Sequence, residues 1–387
     1  MSEPVKKPGH VPESYQPKKP EIVGMVEKAR ATPISGKPYA VTTANGGSYI
    51  DGVSTLEWGK WRDNTYCGCL AAVTEVLGAP VSYETLMGVS GICYRFAMKP
   101  DWCPSSTMPQ VGTVWDDQIQ GITGIKQYSL AGDSRRNKRV RQNLDAGRPV
   151  LGCGFIGEPE WDMLTGYMEK LYFGRSYFDV QNTNPANRHC KNDNLLHTEN
   201  DYHRAVHYPG EYPGGLMRFF DKPCEKEEPL VLLKKSLEAC LMYNTHDASG
   251  DAVFGESAYR ILIEGFEKSD EAWAASRRSE NYHIGCLMDA RRCAYIFLRD
   301  SAVLLQSENR DRLLEITDLY KSIVDDILAV IPYAMLNEAF DFNGNSEEPW
   351  SHETRQSLVG ALERAIEAEK KIQLAVKEIL AHWEEAT

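Results

Sequence analysis

Apolar residues recur at three- and four-residue spacing through the C-terminal half of the chain. The pattern predicts helices over 230–243, 255–266, 282–305, 313–331 and 353–383. In the last of these, Leu358, Leu362, Ile366, Ile372, Val376 and Leu380 form one stripe, and Glu363, Glu367, Glu369, Lys370 and Lys377 take the other face. Ile331-Pro332 and Asn343-Gly344-Asn345 interrupt the pattern, so a bundle of about five helices is expected. Between residues 49 and 220 the texture is different. Short elements alternate with Gly, Pro and Asn clusters; 149–155 and 162–167 read as strands, and 170–178 as a third. A helix over 135–145 stops at Ala146-Gly147-Arg148, and Pro149 opens the next element. Early helices followed by an antiparallel sheet make an α+β pattern. Residues 1–45, rich in Pro, Lys, Gly and Ser with one short helical pattern over 22–31, read as an arm that packs late or not at all. The expected organisation is an arm (1–45), an α+β domain (46–225) and a helical domain (226–387). No internal repeat is found.

Composition narrows the function classes. Among 387 residues, 42% are hydrophobic and 25% charged, and no run of about 18 apolar residues is present to span a bilayer. The first residues are polar and lack the apolar core of a secretory signal, so a cytoplasmic location is expected. Ten cysteines lie at irregular intervals, with Cys240, Cys286 and Cys293 inside apolar helical patterns, which suits a reducing compartment. There is no CxxC pair, and the CxC of Cys67 and Cys69 lacks a second half with zinc-ligand spacing. A net charge of −12 argues against nucleic acid as a partner. The basic run Arg135-Arg136-Asn137-Lys138-Arg139-Val140-Arg141 reads as the solvated face of a helix held by Val140 and Leu144. His189, Cys190, His197, His203 and His207 gather in a stretch marked by Pro185, Asn187, Asn192 and Asn194, with no carboxylate at zincin spacing. They read as a loop, and no metal or cofactor is expected. Dinucleotide, P-loop and Gly-x-Ser-x-Gly motifs are absent.

Chemistry concentrates in Asn64-Thr65-Tyr66-Cys67-Gly68-Cys69-Leu70-Ala71-Ala72-Val73, which places thiols at the start of an apolar helix. Backbone N–H groups there carry partial positive charge, favour a thiolate and can hold an oxyanion. Two small buried residues in a packing helix are the alternative. The segment 87–106 adds Gly, aromatics and Arg95, whose guanidinium suits a carboxylate or phosphate and equally a salt bridge at a cleft rim.

The Cys-Gly pair opening this helix, its close at Leu77-Gly78 and the following Pro80-Val81-Ser82-Tyr83-Glu84 resemble the nucleophile helix of papain-fold bacterial proteins. Among those families are the double-glycine-leader peptidases of bacteriocin exporters and the butirosin-type acyltransferases. Their later Gly-Arg-Pro-Val, His…Gly-Tyr and strand-ending Asp are matched by Gly147-Arg148-Pro149-Val150, Glu160…Gly166-Tyr167 and Tyr177-Phe178-Asp179. The resemblance covers roughly residues 49–182 and departs from the pattern twice. Counting back from Leu70-Ala71-Ala72 sets the family's cysteine near Thr65 rather than Cys67, and Glu160 stands where the family has histidine. A carboxylate of pKa about 4.3 accepts a thiol proton poorly unless burial raises it.

The resemblance implies a papain-like domain followed by a helical domain. The implied reaction is cysteine-dependent acyl transfer, or amide or thioester hydrolysis, on a small metabolite or carrier-bound acyl group. Cys67 would be the nucleophile, Glu160 an unusual base or substrate anchor, and Asp179 its orienting partner; Cys69, Arg95, Trp102, Trp161 and Tyr167 would contact substrate. The competing expectation is a catalytically silent cleft that binds a small molecule. The helical domain would then be a partner or homodimer surface.

Overall fold

The computed structural model describes residues 25–383 except 32–38, 45–46, 51–52, 55, 57–59, 104–115, 131–135, 154–160, 169–170, 176, 178–194, 198–201, 207–216, 246–247, 250–251, 277–278 and 334–348. Mixed helices and antiparallel sheets make the chain α+β, and it divides into two units. One comprises residues up to Trp58, Thr65–Val81 and Thr123–Lys226; the other comprises Gly59–Asn64, Ser82–Ile122 and Glu227–Thr387. The last division along the chain falls between Lys226 and Glu227, and 59–64 and 82–122 group with the later helices.

The first unit is built on one antiparallel sheet. Its strands are β1 (Met25–Ala31), β2 (Tyr39–Ala44) and β3 (Gly47–Ile50), then, beyond β4 (Ala97–Met98) of the other unit, β5 (Ile125–Leu130), β6 (Val150–Cys153), β7 (Trp161–Met168), β8 (Leu171–Arg175), β9 (Leu195–His197), β10 (Tyr202–Val206) and β11 (Met217–Pro223). The order is β1-β2-β3-β7-β6-β11-β5, with β8, β10 and β9 continuing from β7. β7 is the hub: Trp161–Leu164 pairs with β6 and Gly166–Tyr167 with β3, while β8 follows its opposite edge with an irregularity between Leu164 and Gly166. Residues 25–31, read from sequence as part of a helical pattern, are instead strand β1. Pairing with the β-branched run of β2, from Ala31 opposite Tyr39 to Met25 opposite Ala44, outweighs their modest helical propensity.

Two helices of this unit flank the sheet, α1 (Thr65–Val76) and, beyond α2 (Tyr83–Val89) and α3 (Asp116–Thr123), α4 (Arg136–Asp145). Almost every residue of α1 is buried, the signature of a core helix rather than a surface one. It ends where Gly78 adopts φ 72°, in the left-handed region, and the N–H groups of Gly78 and Ala79 reach back to Glu75 and Thr74 carbonyls. In α4, Val140 and Leu144 are buried and Lys138 exposed, as the charge pattern predicted.

The second unit holds α2 and α3, then α5 (Pro229–Thr245), α6 (Gly255–Phe266), α7 (Asp270–Ser276), α8 (Glu280–Ser301), α9 (Ser307–Leu328) and α10 (His352–Ala381). A small sheet, β4 with β12 (Ala248–Ser249) and β13 (Ala252–Phe254), is tucked among them. α10 packs on α9, α6 and α5, and α8 packs on α9 and α2. Ser82 caps α2 and Ser351 caps α10, each accepting the N–H three residues on at 3.1 Å. Inside this unit Arg291 is wholly buried; it donates to Glu369 at 2.6 Å and to the Cys93 carbonyl at 2.8 Å. No helix among the described residues is long and apolar enough to cross a membrane.

Candidate functional site

α1 meets the sheet at the start of β7. Thr65, the first residue of the helix, accepts the Trp161 N–H on its hydroxyl oxygen at 3.3 Å. One turn further on, the Cys69 thiol donates to the Trp161 carbonyl at 3.4 Å. The Tyr66 ring lies 4.8 Å from that of Trp161, and its hydroxyl donates to Gln127 on β5 at 3.5 Å. Both backbone polar groups of Trp161 are therefore tied to α1 by side chains four residues apart on the helix, one turn of its face.

Gly68 is required by a close approach. A Cβ at this position would stand 1.6 Å from the Tyr177 hydroxyl oxygen, so the buried Tyr177 lies directly on the α1 backbone. Cys69, Trp161 and Tyr177 gather about the first two turns of α1. Cys67 is the third residue of the helix, and both thiols have 0% exposure. Thr65, where counting back from the Leu-Ala-Ala run sets the family's cysteine, is the residue at the helix start.

Tyr167 sits at the far end of β7, away from Trp161 along the strand. Its hydroxyl donates to Asp145 at 2.8 Å, and its ring lies 4.6 Å beneath the Arg141 guanidinium. Burial, reinforced by Asp145, raises its pKa. Arg95 and Trp102 belong to the other unit. Arg95 is buried just after a single 3-10 turn over Ile92–Tyr94. Trp102, at φ 59°, packs edge-on against Phe266, Trp273 and His283, and its carbonyl faces His283 Nε2 at 3.1 Å. Glu160 and Asp179 lie outside the described residues, as do His189, Cys190 and His207. His197 and His203 fall on β9 and β10, His197 opposite Tyr202 and His203 opposite Leu196. Among the described residues, no group of three metal-binding side chains forms.

A second polar centre, in the helical unit, escaped the sequence reading. Asp63 and Asp289 are buried, at 3% and 1% exposure, each bound by a tyrosine hydroxyl. Tyr333 donates to Asp63 at 2.5 Å and Tyr83 to Asp289 at 2.6 Å. Burial first, and the Asp63 charge second, push the Asp289 carboxyl up to about 7. The signal was present in the sequence: Asp289 and Arg291 interrupt the apolar stripe of α8, where a charged residue must be buried with a partner.

No family model matches the chain, and no curated protein matches it either.

Proposed function

We propose that the α+β unit is a papain-like domain whose cleft binds a small molecule without using either α1 thiol as a nucleophile, the helical unit serving as a partner or dimer surface. One observation carries this reading: Cys67 has no exposed surface, and Cys69 spends its proton on the Trp161 carbonyl. A nucleophile must approach the reacting carbon to about 3–3.5 Å. It must also be a thiolate, which a carbonyl acceptor disfavours. The start of α1, where helix N–H groups favour negative charge, belongs to Thr65, already engaged with β7.

Acyl transfer or hydrolysis through Cys67, on a small or carrier-bound acyl group, is the second reading. It is favoured by the seating of the first turns of α1 against the start of β7, directly after Glu160 in sequence. Thermal-shift screening of small amines, sugars and acyl thioesters separates the two. Binding alone predicts a ligand that raises Tm equally in the wild type, Cys67→Ala and Cys69→Ala. Turnover of a thioester that vanishes in Cys67→Ala would establish the second reading instead.

A further inference from the structure

We draw no further inference here: the strongest candidate, the buried side-chain cluster at the start of α8, where Trp102 and Ser279 hold left-handed backbone and the Asn281 amide, His283 Nδ1 and Trp273 Nε1 meet no hydrogen-bond partner among the described residues, carries nothing because no contact in the structure directs these three side chains to one point that a ligand could share.

Discussion

The hydroxyl oxygen of Thr65 accepts the backbone N–H of Trp161 at 3.3 Å, joining the first residue of α1 to the first residue of β7. Thr65 is 2% exposed, so water cannot replace it at that amide without rearrangement. Thr65→Val removes the acceptor at nearly constant volume and should destabilise the chain by about 1–3 kcal/mol, the cost of a buried donor left without its partner. Thr65→Ser should recover most of the loss. Urea unfolding followed by tryptophan fluorescence would check both, and a Thr65→Val variant as stable as the wild type would show that the seam does not rest on this bond.

Gly68 tests the other side of the same seam. A methyl group there overlaps the Tyr177 hydroxyl at 1.6 Å and its ring carbon at 2.8 Å. Alanine in a helix interior is ordinarily favoured over glycine by about 1 kcal/mol, yet Gly68→Ala is expected to destabilise by about 1–3 kcal/mol as Tyr177 is displaced. Thermal unfolding decides the sign.

Two buried groups in the helical unit respond to pH in opposite directions. His283 is held neutral, its pKa lowered from 6.5 to about 4 chiefly by burial. Its stabilising contribution is complete above 6.5 and is lost as pH falls from there through about 4. Asp289 is raised from 3.8 to about 7, so its contribution is complete below 3.8 and is lost as pH rises through about 7. Across their shared window the two slopes, each at most about 1.4 kcal/mol per pH unit, oppose one another. The wild type should therefore show a nearly flat profile from about pH 4 to about pH 6.5. Asp289→Asn should gain stability with rising pH across that window, and His283→Gln should lose it. Unfolding midpoints measured against pH check both, and a flat profile in either variant would count against the assigned group.

Much of the architecture could be read from the sequence because period and punctuation agree there. The helix expected over 255–266 is α6 residue for residue, and 162–167 falls inside β7, because apolar spacing and Gly or Pro stops mark these elements locally. Residues 25–31 were misread because a short, half-apolar segment is decided by its pairing partner, and β2 is not visible in a helical count. The candidate site was legible in part. Cys69 and Trp161 do meet, but burial of both thiols depends on how the sheet covers α1, which no local pattern reports. Arg95 and Trp102 belong to the helical unit, where Trp102 packs on Phe266, Trp273 and His283, long-range contacts that composition does not report. The Asp63–Asp289 pair joins residues more than two hundred positions apart, a relationship that spacing cannot encode.

The most direct test of the central claim is the pH dependence of iodoacetamide labelling on the folded protein, with each modified cysteine identified by peptide mapping. Cys103, Cys224 and Cys286, which are partly exposed, should react ahead of Cys67 and Cys69, with Cys224 slowed by the burial that raises its pKa. Cys67 and Cys69 should label only on unfolding. Fast labelling of either in the native protein, with an apparent pKa well below about 8.5, would contradict a cleft that binds without reacting and would identify the thiol as a nucleophile.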